Sequence, residues 1–236
     1  PFIINQKPPC KEWLEQIFSG SMFFLTKLKT TKDLGDFAEI CIKKHFGETG
    51  FLENYHDWPV ETFIEKASAL KGHYTNCQEV KDIIRDFVIE IGEDPEKFFF
   101  DVPRLRIVPN SDYLHSGVSH NYVEHRDTWY GSARCQVNTW MPIFPIQPDA
   151  TMALYPSYFS QPLENTSREF DAKNWIVVER TKAENQVGGE QRKHPVPKEN
   201  VDKKAGVLFA GGRGDILVFS GQHLHSSQKY CGEKIR

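Results

Sequence analysis

With 236 residues, 39% of them hydrophobic and 26% charged, the chain has the balance of one large globular domain, and its formal net charge of −3 supplies no overall field for nucleic acid or an anionic membrane. The longest apolar stretch, Phe18 to Leu25, falls well short of the ~20 residues a membrane helix needs, so no membrane span is expected. Cys10, Cys41, Cys77, Cys135 and Cys231 are scattered, odd in number and free of CxxC spacing, which argues against a disulfide framework or zinc ribbon and for reduced thiols in a cytoplasm.

The first hundred residues carry helical spacing. Lys11 to Phe18 is short and amphipathic, and Thr31 to Phe46 sets Leu34, Phe37, Ala38, Cys41 and Ile42 on one stripe. Pro59 to Leu70 opens on a proline suited to a first turn and repeats apolar positions at Phe63, Ile64 and Ala67. Gln78 to Ile91 does the same with Val80, Ile83, Ile84, Phe87 and Val88, and Gly92 ends it. Stripes of this kind are core faces.

After Asp94-Pro95 the pattern changes to short β-branched or aromatic runs at 98–100, 105–108, 135–143, 152–155, 207–209 and 215–219, separated by Pro, Gly, Asn and Asp. Short strands with irregular connections predict an antiparallel sandwich or jelly roll. The expected organisation is mainly β with α: a helical region over 1–97 packed on a β core over 98–236. Residues 160–205 are polar and read as a long insert across one edge, where lids and binding loops sit.

The segment that carries chemistry is Tyr122-Val123-Glu124-His125-Arg126-Asp127. In an extended chain, residues two apart share a face, so His125 and Asp127 can offer an imidazole and a carboxylate to one ion. About a hundred residues later, Gly214 to Ser227 reads as a turn, a buried strand and then a histidine. His225 on a neighbouring strand would supply a third ligand. Two imidazoles and one carboxylate leave three octahedral positions open, the facial arrangement of non-haem Fe(II) oxygenases. A structural zinc site would close its shell with four ligands. Arg236 stands eleven residues beyond His225. Its guanidinium can clamp a co-substrate carboxylate bidentately, as a lysine cannot.

As a set, HRD at 125–127, the GDILVFSGQHLHSS strand-turn and the arginine beyond it resemble the phytanoyl-CoA hydroxylase-like branch of the Fe(II)/2-oxoglutarate dioxygenases. The resemblance spans about residues 98–236. It implies a double-stranded β-helix (a cupin-like jelly roll), Fe(II), 2-oxoglutarate and dioxygen, and hydroxylation of a small molecule with release of succinate and carbon dioxide. His223 and His225 are two apart, so register alone leaves both open; the family pattern, with a small residue and a serine after the ligand, favours His225. His223 then becomes a residue behind the ligands or facing substrate. The carboxylate of Asp127 implies hydroxylation rather than halogenation, because halogenating relatives carry a small residue there.

Weaker candidates surround this set. Gln136 and Asn138 share one face of the 135–143 run and can bond the co-substrate carboxylate. Trp129 and Tyr130 follow the ligand pair as pocket wall or core. Arg104 and Arg106 share a face and suit either an anionic substrate group or a surface ion pair. His115 and His120 are loop histidines near the motif, with His120 able to contact substrate. His45, His56, His73 and His194 have no partners in the sequence. The rival readings are a jelly-roll protein that binds a sugar or other small ligand without redox chemistry, and a cupin-like isomerase using another divalent metal.

Overall fold

The computed structural model of the chain describes residues 2–4, 12–48, 54–120, 122–180, 182 and 186–236. Four helices follow the periodicity closely: α1 (Trp13–Phe18), α2 (Lys29–Phe46), α3 (Val60–Asn76) and α4 (Gln78–Glu90). Lys11 and Cys10 lie outside the described residues. The stripes on α2 and α3 meet as expected. Ala38, Cys41, Ile42 and Phe46 pack with Phe63, Ile64, Ala67, Leu70 and Tyr74, closed by Val80 of α4 and by Leu105, Ile107 and Leu114. Just past α4, Gly92 takes a φ of 89°, which glycine alone adopts without strain. No helix among the described residues is long and apolar enough to cross a membrane.

Strands β1 (Phe2–Ile4), β2 (Met22–Leu25), β3 (Val137–Trp140) and β6 (Ile216–Ser220) form one sheet in the order β1-β2-β6-β3, parallel only between β1 and β2. Strands β4 (Met152–Leu154), β5 (Val207–Leu208) and β7 (His225–Ser227) form a second, antiparallel sheet in the order β5-β4-β7. Every residue of β6 is buried. Its side chains alternate: Ile216 and Val218 pack with Trp13, Ile17, Phe23, Leu25 and Ile91, while Leu217 and Phe219 pack with Met22, Leu154 and Phe209. A strand covered on both faces reads as a continuous apolar run, as 216–219 does.

A mainly β chain closed into a double-stranded β-helix is not what forms. Among the described residues helix outweighs strand, the two sheets remain separate, and no strand exceeds five residues. Local chemistry explains the shortfall. The 98–100 run makes no strand and leaves Phe99 fully exposed. The 105–108 run makes one reciprocal pair of bonds, between Val108 and Arg236, at 2.8 and 3.0 Å. The 135–143 run stops at Trp140, because Pro142 has no N–H to give a ladder and restrains Met141 before it. The apolar 18–25 stretch, too short for a membrane, supplies β2, so sheet pairing crosses the 97/98 boundary. The 160–205 insert holds a short helix, α5 (Ala172–Val177), and is pinned by a bridge between Asn165 and Pro197.

Leu217 is 1% exposed at the centre of this arrangement. Leu217→Ala is expected to lower unfolding stability by about 2–5 kcal/mol, read as a lower urea midpoint at unchanged slope. Phe99→Ser should stay within about 0.5 kcal/mol of the parent protein.

Candidate metal centre

Beyond Ser220 the chain turns through Gly221 and Gln222 and enters β7 at His225. There His125 and His225 donate backbone N–H groups to each other's carbonyls, both at 2.9 Å. Residues directly opposed in an antiparallel pair project to the same side, and the two imidazole centroids stand 4.3 Å apart. Asp127, two residues on from His125, returns to that face. Its N–H donates to the Gly221 carbonyl at 3.0 Å, and the Gly221 N–H donates to Gln136 O at 3.0 Å. The Asp127 Oδ1 atom lies 3.7 Å from His125 Nε2 and 3.9 Å from His225 Nε2, and the three ligand atoms lie within 4.8 Å of one another.

The surrounding bonds orient all three groups. The Nδ1–H of His125 donates to Val123 O at 2.7 Å and that of His225 to His223 O at 2.9 Å. A carbonyl can only accept, so the proton is fixed on Nδ1 and each Nε2 lone pair faces the cluster. Burial, then the neighbouring His225, hold the His125 pKa well below its ordinary value; the ring stays neutral, as a ligand must. Asn138 Nδ2 donates to the other Asp127 oxygen, Oδ2, at 2.5 Å, and Gln136 Nε2 reaches it at 3.3 Å while donating to Asn138 Oδ1 at 2.7 Å. Oδ1 is left to the imidazoles.

This donor set fits a divalent transition ion. Neighbouring ligands at about 2.1 Å from one ion stand roughly 3 Å apart, and the observed 3.7 and 3.9 Å separations approach that. The mixture of two nitrogens and one oxygen, without cysteine, suits an open divalent-metal site rather than a closed structural zinc site. The Asp127 side chain keeps 24% exposure, which gives the cluster contact with solvent. Two surface clefts of about 840 and 500 Å³, bordered by Tyr55 and Asn110 and by Arg126 and Phe159 respectively, include none of the three ligands.

A second group, His120, Glu190 and His194, also brings ligand atoms within 4.8 Å. Its carboxylate is already taken: Arg192 donates from Nε to Glu190 Oε1 at 2.7 Å and from Nη2 to Oε2 at 2.6 Å. This fork neutralises Glu190: desolvation would raise its pKa, but the bonds from Arg192 outweigh it and hold the carboxyl below the usual range. The group is therefore a wall of the site. The His120 and His194 rings stack at 4.3 Å, Tyr122 lies 5.2 Å from both His194 and His125, and the Tyr130 hydroxyl pairs with His194 Nδ1 at 2.8 Å. Glu190, Arg192 and His194 all come from the 160–205 insert, and no local spacing in the sequence marked them.

The structure reassigns several expected contacts. Gln136 and Asn138 hold Asp127 rather than presenting free amides to a co-substrate. His223 is wholly buried, with Nδ1 3.2 Å from Ser220 O and Nε2 3.3 Å from Gly20 O. Burial pushes its pKa down to about 4, so the neutral ring packs between the turn and Gly20 and is not part of the ligand cluster. Trp129 packs against the cluster of Ala153, Tyr155 and Leu224, and Tyr130 takes the wall position instead, 5.5 Å from His125. Arg236 donates to the carbonyls of Ala150, Thr151 and Gln228. Arg106 donates to His120 O at 2.7 Å and lies over the Tyr122 ring.

No protein-family profile matches the chain, and no curated protein matches it. Two crystal structures of a hypothetical protein, JW0805 from Escherichia coli, one of them at high pH, are similar over 100% of this chain and over 70% and 69% of theirs. Identities are 9% and 10%, with TM-scores of 0.45 and 0.44. Likeness at that level carries no functional argument.

Two outcomes are expected. Asp127→Ala and His225→Ala should abolish tight binding of Fe(II) or Co(II) in competition with a chromophoric chelator, while Asn138→Ala weakens it about 10–100-fold and Trp129→Ala leaves it unchanged. The second concerns pH. Burial, with His194 alongside, pushes His120 down to about 3 although Glu190 pulls the other way. The unfolded imidazole takes up its proton near pH ~6.5 and the folded one does not, so stability is lost as pH falls from there towards 3, by at most about 1.4 kcal/mol per pH unit. Urea midpoints of the metal-free protein at pH 7.5 and 4.5 should show a shallower loss for His120→Asn.

Proposed function

We propose that the chain is a non-haem Fe(II)- and 2-oxoglutarate-dependent oxygenase that hydroxylates a small molecule and releases succinate and carbon dioxide. The observation that carries this reading is the convergence of His125 Nε2, Asp127 Oδ1 and His225 Nε2 on one face, each oriented by a bond on its far side. Three ligands, with no fourth among the described residues, leave room for a co-substrate and dioxygen, which a closed structural site does not. The HRD and strand-turn motifs support the same reading. When bound, Fe(II) with 2-oxoglutarate and dioxygen supplies the oxidising chemistry.

The chain's own part is to position and to exclude. His125 and His225 present neutral nitrogens whose tautomer is set by Val123 O and His223 O. Asn138 and Gln136 prevent the Asp127 carboxylate from rotating. Tyr122 and Tyr130 lie against His125 and limit water at the ligands. Arg236 takes the distal carboxylate of the co-substrate by exchanging one of its main-chain carbonyl contacts for a charged one, which is the stronger bond. Thiols unpaired with one another at Cys41, Cys77, Cys135 and Cys231 favour a reducing, cytoplasmic setting.

Anaerobic addition of Fe(II) and 2-oxoglutarate is expected to produce a weak visible metal-to-ligand charge-transfer band. Asp127→Ala should remove the band. Arg236→Ala should keep Fe(II) binding but raise the 2-oxoglutarate needed by about 10–100-fold, the loss of one charged hydrogen-bond pair. A folded, Fe(II)-loaded protein with no band would overturn the reading and leave a divalent-metal site with another chemistry.

A further inference from the structure

The turn at 117–120 offers its carbonyls to three cations. Arg192 Nη2 donates to Gly117 O at 3.2 Å, Lys71 Nζ of α3 donates to Val118 O, and Arg106 Nη2 donates to His120 O at 2.7 Å. Carbonyl dipoles soften these charges but do not cancel them. Only Arg192 has a carboxylate partner, Glu190. Lys71 and Arg106 make no ion pair among the described residues, and Glu190, the carboxylate at this turn, is committed to Arg192.

One of the two, Lys71, is also short of water. Burial, with Arg106 and Arg192 nearby, pushes the Lys71 ammonium down to about 7. The Arg106 side chain is exposed, so its guanidinium can meet a ligand arriving from solvent. The Arg106 guanidinium lies 4.8 Å from the Tyr122 ring centre, and that ring lies 5.2 Å from His125. One aromatic ring therefore separates it from a metal ligand. A desolvated ammonium beside a guanidinium, with no counter-charge, is costly, and a bound anion offsets that cost. A guanidinium fork beside an ammonium point charge suits the oxygens of a carboxylate or phosphate.

We propose that Arg106 and Lys71 form an anion-binding subsite beside the metal centre, which holds a carboxylate or phosphate group of the substrate. The inference rests on the oxygenase reading for the purpose of the held molecule, while the anion site itself stands on the charge arrangement. The subsite makes the substrate an anionic small molecule and sets its reactive carbon on the far side of Tyr122 from the anchored group.

The test titrates metal-free protein at low ionic strength with inorganic phosphate and, separately, with acetate, following amide shifts by NMR. Wild-type protein is expected to bind at least one of them saturably, and the tighter of the two identifies the anchored group. Arg106→Gln should weaken binding at least tenfold, Arg106→Lys should retain part of it, and Arg104→Gln, at the exposed neighbour paired with Asp101, should leave it unchanged. Thermal melts confirm that each variant is folded. No saturable binding of either anion, or equal binding by folded Arg106→Gln, overturns the subsite. Fe(II) binding is read in parallel: phosphate or acetate binding with no Fe(II) binding sinks the metal-centre reading alone, and Fe(II) binding without anion binding sinks the subsite alone.

Discussion

Strand β6 is buried on both faces, and most of what surrounds the candidate metal centre is arranged by that burial. One row of its side chains packs toward α1 and the end of α4, the other toward β4 and Phe209. Each buried aliphatic or aromatic side chain contributes on the order of 1.5–3 kcal/mol, and a one-residue slip would exchange the two rows. The register of β6 is thereby held tightly, and with it the position of Gly221 immediately beyond. The Gly221 carbonyl and N–H then reach Asp127 and Gln136. Apolar packing on one side of the molecule thus sets the position of a polar cluster on the other.

Around the cluster, the groups that could compete for an ion are restrained. His223 is buried between Ser220 O and Gly20 O, Glu190 is neutralised by Arg192, and Asn138 and Gln136 occupy the far oxygen of Asp127. What remains is two neutral imidazole nitrogens and one carboxylate oxygen, facing each other. Such outer partners set ligand orientation and affinity as much as the ligands do. The same neighbourhood carries an excess of positive charge at Lys71 and Arg106, so a divalent ion and an anion would each be bound more tightly with the other present.

The parts legible in the sequence were those with short-range periodicity. The stripes on α2, α3 and α4 predicted both the helices and the faces they bury, because a 3.6-residue repeat is local information. The HxD spacing placed His125 and Asp127 on one face for the same reason. The β architecture was not legible. A run such as 98–100 has strand composition but finds no partner, and Met22–Leu25 has the look of a helical-region fragment but becomes a central strand. Pairing is decided by what lies alongside, and composition does not record that.

The sequence by itself determined the helical faces, the buried 216–219 run and the chemical identity of the three candidate ligands. Only the tertiary structure decided that His225 and not His223 meets His125, because a turn placed one in the ladder and folded the other into the core. It also decided that amides read as co-substrate contacts instead hold Asp127, and that Glu190, Arg192 and His194, some seventy residues from Gly117 and His120, complete the wall. Hydrogen bonds and ion pairs are satisfied in space, between residues that the chain's own order keeps far apart.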